Sequence, residues 1–589
     1  MSEALEVTSH DLVKLGPEKS KLAAALGRFW PEVFVVALVV ILWAPRLSGP
    51  IDLRWDAGVY YILGTSLAEG HGYRILSEPG APEAIQYPPL LAAVVAGYEK
   101  MLGTTDPDVV APWLRKSYAA LFVLYGISVL ALARRYLRPT FALIATALCL
   151  LYVWTIFLSD LLYAEVPFAL VSVLFVLVAG NAALSRRPWL REAVSFLLAA
   201  AGFLLRTAGV ALLAAWVFEA GLRQRWTLAV ARGALALLPL LSWQGYVVRV
   251  RASHHYKHPT YEYQRAPYLY YNVSYGDNVL LTDPSQPALG RVNAKAIASR
   301  LVANVPSAII GLGETVSTER RFWIKALNSV QRMVGQTVIG KNLVLIPILL
   351  LAGVVMSGLV FLVRRGAVLV TLFVGISIAL MLTTPWPLQF PRYLAPLASF
   401  LAIAAVLSLS QLYSAVPRLG RVGLASFLLL TLVPQTYAAW GLFYDRGHQP
   451  ASFIPGRGAL GPRFFFHDQA WAEWEEAVAW LGEHSTPEAI VATPESHLCY
   501  LRTQRQAVSP PIESDPVRAR HLLESVPVSY VIVDELGFTD VSRRYARPAV
   551  ESDPMEWRLV HSVTNGTQIY ERTADQEQSA PTDLSESAR

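Results

Sequence analysis

About eleven apolar stretches, each near the length of a helix that crosses a lipid bilayer, constrain this chain more than any other feature. They lie near 29–47, 111–133, 139–158, 162–180, 191–205, 207–222, 227–249, 341–363, 367–384, 393–413 and 422–442. In hydrocarbon the backbone must satisfy its own hydrogen bonds, which predicts an α-helical polytopic membrane bundle. The fifth and sixth stretches are short and meet at Leu205-Arg206-Thr207, so they read as half-length or tilted helices with Arg206 at the bend. Composition agrees, with 54% hydrophobic and 16% charged residues among 589. The net charge of +6 arises from short basic clusters between apolar runs, the pattern of loops at an anionic leaflet; no nucleic-acid partner is expected. Cys149 and Cys499 are too few for a disulfide framework.

The basic clusters fix an orientation. Arg134, Arg135 and Arg138, then Arg186, Arg187 and Arg191, Arg223 and Arg225, Arg364 and Arg365, and Arg418 and Arg421 occupy alternate connections, which places them in the cytoplasm. Residues 1–28, with Lys14, Lys19, Lys21 and Arg28, then form a cytoplasmic tail, and the first apolar run is a retained anchor. Asp56, the outer loops 48–110 and 250–340, and everything after 443 fall on the opposite side of the membrane, the periplasmic side for a bacterial inner membrane. Pro88–Leu102 is apolar but short, and reads as a helix lying at the outer interface.

Residues 29–442 are thus the transmembrane domain. From 443 to 573 the chain becomes a small extracytoplasmic α/β domain, with Trp471, Trp474, Val478 and Leu481 on one helical face. Its strand-like runs are Ala489–Thr493, Val528–Val533, Trp557–Val560 and Gln568–Tyr570, with a helix near 515–525. The polar tail 574–589 is expected to be disordered.

Four charged residues stand near the outer ends of different spans: Asp56, Glu165, Arg206 and Arg392. Singly, each has a plain alternative. Asp56 can be a solvated loop residue or a helix cap, Glu165 can cap or salt-bridge at a helix start, and the arginines can pair with lipid headgroups. Together they suit a phosphorylated lipid, because a guanidinium fork grips phosphate and a carboxylate accepts a proton from an attacking hydroxyl. Asp56 is the leading candidate base. His71, His254, His255 and His258 lack metal-ligand spacing and read as solvated loop residues.

The order of these features resembles the GT-C class of membrane glycosyltransferases, related to the protein O-mannosyltransferase and lipid A aminoarabinose transferase families. The resemblance rests on Trp55-Asp56 with Tyr60 and Gly70-His71-Gly72-Tyr73 after one span, and on Tyr87-Pro88-Pro89-Leu90. It continues with Tyr163-Ala164-Glu165-Val166-Pro167, Phe203-Leu204-Leu205-Arg206 and Arg392-Tyr393-Leu394-Ala395-Pro396, covering residues 29–413 in layout. It implies that Asp56 is the acceptor-activating carboxylate and that Glu165 assists it. Arg206, Arg392 and Tyr393 would hold the donor phosphate, and Tyr60, His71 and Tyr87 would bind substrate. It further implies a polyprenyl-phosphate sugar donor, a lipid, glycan or protein acceptor, and inversion at the sugar carbon. Relatives commonly carry a second acid directly after the first-loop Asp, where this chain has Ala57; no cofactor is assigned, and a divalent metal is left open. The rival readings are a multispanning transporter or lipid flippase, which normally shows internal repeats, and a non-catalytic assembly factor.

Overall fold

Proline opens helix after helix: Pro107, Pro139, Pro188 and Pro417 each sit in a first turn, where the missing N–H costs nothing. The structure, a computed structural model, describes residues 17–181, 186–266, 272–284, 286, 289–334, 341–452, 461–537, 540–564 and 566–573. The expected polar tail 574–589 and most of the N-terminal tail lie outside these.

Among the described residues eight helices are long and apolar enough to cross a membrane, and four shorter apolar helices accompany them. Eleven of these twelve correspond to the stretches read from the sequence. The four short ones are Pro139–Leu151, Glu165–Ala179, Thr207–Leu222 and Val368–Leu382.

The twelfth helix, Ala294–Val316, falls inside the expected outer loop 250–340 and reaches spanning length. Its contacts explain why the alternation of loops survives it. In its first third, Arg300 donates to the carbonyl of Thr383 (3.3 Å), and at its middle Asn304 donates to the carbonyls of Leu382 and Thr384 (2.9 and 3.0 Å), at the end of Val368–Leu382. Near its finish, Gly313 leaves room for the carbonyl of Ile348, at the start of the antiparallel helix Leu345–Arg364. From Arg300 to Gly313 the helix therefore meets the same end of the bundle, and this stretch lies across it. That end also carries Asp56 and is termed the site end.

The arginine-rich connections gather at the far end. Arg365 donates to the carbonyl of Tyr136, Arg135 to that of Leu177, and Arg223 to that of Gly366.

At the site end, the first outer loop contains an additional helix, Asp56–Ala68, which packs against the interfacial helix Leu90–Leu102. Gly64 permits this approach, since a Cβ there would strike Val95. Gly103 ends the second helix at φ +69°, a left-handed cap suited to glycine.

The C-terminal part begins later than expected, because helix Pro417–His448 runs six residues past 442. Beyond helix Gln469–His484 comes a five-stranded sheet of β1 (Ile490–Ala492), β2 (Ala507–Val508), β3 (Val528–Val533), β4 (Trp557–Ser562) and β5 (Gln568–Arg572). Its order is β2-β1-β3-β5-β4, with β1 parallel to β2 and β3, and β5 antiparallel to β3 and β4. β2 is too short to read as a strand from the sequence. Trp471, Trp474, Val478 and Leu481 are buried as the periodicity predicts, and the Trp474 indole donates to Thr493 (2.9 Å).

Candidate active site

Two buried ion pairs build the platform. Arg115 reaches Asp160 at 2.9 Å and also donates to the carbonyls of Pro50 and Arg46, both at 2.6 Å. Arg54 grips Asp52 at 2.7 Å and donates to the carbonyls of Phe465 (2.6 Å) and Phe466 (3.1 Å). Between them the backbone of Asp52 bridges the other outer loop: its N–H reaches the Asp160 carbonyl, and its carbonyl accepts from Leu162 (3.0 and 3.1 Å). This short parallel pairing brings Asp56 and Glu165 to the same place.

Both acids open helices, Asp56–Ala68 and Glu165–Ala179, where the helix dipole favours negative charge. Arg206 closes helix Pro188–Leu205 and Arg392 lies in the last turn of the short helix Phe390–Leu394, the ends that favour cations. The four form a continuous chain. Arg392 Nη2 donates to Asp56 Oδ2 and Arg392 Nε to Glu165 Oε1, each at 2.7 Å; Arg206 Nη1 meets the same Glu165 oxygen at 2.7 Å. Glu165 is sealed, with its side chain 3% exposed, whereas Asp56, Arg206 and Arg392 are 17%, 18% and 21% exposed. Glu165 is thus placed as the buried counter-ion of both arginines, with Asp56 the accessible carboxylate.

Tyrosines surround the charges. Tyr60, one turn beyond Asp56, stacks on Tyr87 with centroids 5.0 Å apart. The Arg392 guanidinium lies 4.5 Å over the ring of Tyr163. Tyr393 donates to Gln389 at 2.8 Å and neighbours Tyr275, the first residue of the short helix Tyr275–Val279. His71 is different. It follows the opposite end of helix Asp56–Ala68, a run of about 20 Å at the helical rise, and there faces Glu69 at 3.5 Å, exposed. His71 is therefore the one expected substrate-binding residue that the fold does not bring beside the charged set.

Tyr163, Tyr275, Glu495 and His497 were not singled out from the sequence, and Trp55 entered only as part of the Trp55-Asp56 motif. Tyr163 stands in the quoted Tyr163-Ala164-Glu165 run, and Tyr275 in an aromatic-rich loop that reads equally well as an interface anchor. Glu495 and His497 lie some 440 residues from Asp56 and carry no sequence signal. Glu495 accepts the backbone N–H of Trp55 (3.0 Å), and His497 Nδ1 meets Ser77 Oγ (2.8 Å). Burial pushes the Glu495 carboxyl up to about 8 and the His497 imidazole down to about 4.

A divalent ion does not fit these donors. Asp56 and Glu165 share Arg392 between them, Ala57 offers no ligand, and no group of three His, Cys, Asp or Glu suited to a metal occurs among the described residues.

No protein-family model matches the chain, and no curated protein matches it significantly. Solved structures do. The oligosaccharyltransferase AglB of Archaeoglobus fulgidus, in complex with an inhibitory peptide and a dolichol-phosphate, aligns with TM-score 0.50 and 15% identity over 86% of this chain and 69% of its own. The same organism's oligosaccharyltransferase in complex with Zn and sulfate aligns with TM-score 0.51 and 14% identity over 92% and 73%. The chain has the GT-C fold. ArnT from Cupriavidus metallidurans bound to undecaprenyl phosphate is also similar, with TM-score 0.37 and 12% identity over 93% of this chain and 98% of its own. In this GT-C chain every member of the charged set sits where a helix begins or ends at the site end, away from the middle of the bundle.

Proposed function

We propose that the chain is a membrane glycosyltransferase that moves a sugar from a polyprenyl-phosphate donor to a lipid, glycan or protein acceptor, at the outer face of a bacterial inner membrane. The observation that carries this reading is the chain Asp56, Arg392, Glu165, Arg206 at one end of a GT-C bundle. The relative solved with dolichol-phosphate supports a lipid-phosphate partner.

Arg206 and Arg392 bind the donor phosphate and stabilise the charge that grows on it as the bond from phosphate oxygen to sugar carbon breaks. The acceptor oxygen attacks the opposite face of that carbon, giving inversion, and its proton passes to Asp56. The polyprenyl phosphate leaves as the monoester. Glu165 holds the two guanidinium groups side by side by offsetting their repulsion, and Tyr60, Tyr87 and Tyr393 line the substrate space. The placement of these charges at the site end disfavours the transporter reading, which puts working charges near the midplane.

The test uses purified chain in lipid nanodiscs with radiolabelled polyprenyl-phosphate sugars of several kinds and membranes as acceptor. Asp56→Asn is expected to lose transfer at least about a hundredfold while still binding undecaprenyl phosphate. The double variant R206A/R392A is expected to lose that binding. Near-normal transfer by Asp56→Asn overturns the assignment.

A further inference from the structure

Asp56 follows a residue in an unusual conformation. Trp55 has φ +57° and ψ −136°, a region that side-chain-bearing residues rarely occupy and that persists only when its surroundings enforce it. Its ring is held edge-on by Trp471 and Phe157, with centroids 5.5 and 5.9 Å away, and the Arg54 guanidinium lies 4.6 Å over it. Its N–H donates to the side chain of Glu495 at 3.0 Å. Glu495 is itself buried and immobilised, since its carbonyl accepts from Cys499 (2.9 Å) and so starts helix Ser496–Thr503. That helix presses on the first turn after Asp56: a Cβ at Gly58 would stand 3.3 Å from His497 Cβ and 3.7 Å from the Leu498 nitrogen.

We propose that Glu495 is a positioning residue through which the C-terminal domain locks the backbone of Trp55 and thereby aims the Asp56 carboxylate at Arg392 and the acceptor. Rotation about the N–Cα bond of Trp55 swings everything that follows it, and Asp56 is the next residue. Relaxation of Trp55 to a negative φ therefore removes the carboxylate from Arg392 Nη2, to which it is hydrogen-bonded at 2.7 Å. The groups facing Glu495 are Arg54, Asp52 and Asp56, and burial keeps its carboxyl protonated up to about pH 8. A neutral carbonyl oxygen thus suffices to accept the Trp55 N–H, so glutamine is the conservative replacement. The C-terminal domain is on this account part of the active site's frame, in addition to any contact with the acceptor. This inference rests on the reading of Asp56 as base.

Glu495→Ala, Glu495→Gln, Trp55→Gly and the double variant W55G/E495A are assayed beside Asp56→Asn with the same sugar panel, and rates are normalised to bound undecaprenyl phosphate. Glu495→Ala is expected to lower kcat by roughly ten- to a hundredfold with the donor KM within about twofold, and Glu495→Gln to retain most activity. Glycine adopts positive φ without help, so the Glu495→Ala loss is expected to shrink to less than about threefold in the Trp55→Gly background. An equal loss in both backgrounds, or an equal loss for Gln and Ala, overturns the lock in favour of general loosening. An inactive Asp56→Asn with a normal Glu495→Ala overturns it alone, whereas an active Asp56→Asn overturns the base. Should Glu495→Ala not fold, amide exchange of wild-type Trp55 reads the same bond: protection supports the lock, and exchange at the rate of a free peptide overturns it.

Discussion

Replacing Arg392 with lysine separates charge from shape. The guanidinium spans two carboxylates at once, Nε on Glu165 and Nη2 on Asp56, both at 2.7 Å. Lysine keeps the positive charge but concentrates it in one ammonium, which cannot reproduce a planar fork. One charge-assisted hydrogen bond is lost, a net contribution of about 1.5–3 kcal/mol, and Asp56, the more exposed partner, is the one released. With both side chains about four-fifths shielded, solvent screening takes little of this away. If about 2 kcal/mol of that positioning is felt in the transition state, Arg392→Lys lowers kcat by about thirtyfold. The assay is the initial rate of sugar transfer at saturating donor in nanodiscs, with undecaprenyl phosphate binding measured on the same samples. Binding is expected to stay within about threefold, because the charge persists. A kcat within threefold of wild type would refute the reasoning, because charge alone would then suffice.

Three further outcomes are expected. Glu165→Gln strips the buried counter-ion from two guanidinium groups and should cost about 3 kcal/mol of stability, read as a lower unfolding temperature in nanodiscs; an unchanged midpoint contradicts the bridging role. Gly209→Ala places a Cβ against the backbone of Gly202 and Phe203, so the bend that presents Arg206 must open; roughly tenfold weaker undecaprenyl phosphate binding is expected, and unaltered binding argues against the bend. Burial raises the Glu78 carboxyl, in the first outer loop, from 4.5 to about 8. The folded state therefore holds a proton that the unfolded state releases, and this stability is lost as pH rises from about 4.5 through about 8. Glu78→Gln should lessen the fall of the unfolding temperature over that interval, with Glu495 supplying a share of what remains, and an unchanged slope would show that Glu78 does not contribute.

The membrane-spanning pattern was legible because apolar length is a local property: eleven stretches became eleven helices, including the pair that meets at Arg206. Ala294–Val316 shows where that reading stops, since spanning length does not decide whether a helix crosses the bundle or lies over its end. Hydrogen bonds from Arg300 and Asn304 to Leu382, Thr383 and Thr384, together with the seat of Gly313 on Ile348, decide it, and the hydrogen bonds join residues about 80 positions apart. The place of His71 was hidden for a related reason, because the helix Asp56–Ala68 that separates it from Asp56 shows no periodic pattern in the sequence.

By itself the sequence determined that this chain is a helical membrane bundle, that Asp56, Glu165, Arg206 and Arg392 belong to the same end of it, and that a small α/β domain follows. Hydrophobic length and loop charge specify such things residue by residue. Only the tertiary structure decided that the four charges form one chain, that Glu165 is sealed while Asp56 is open, and that Glu495 reaches back to the residue before Asp56. Those outcomes depend on long-range backbone pairing, as between Asp52 and Leu162, and on which groups burial leaves accessible. Neither quantity exists until the chain has closed on itself.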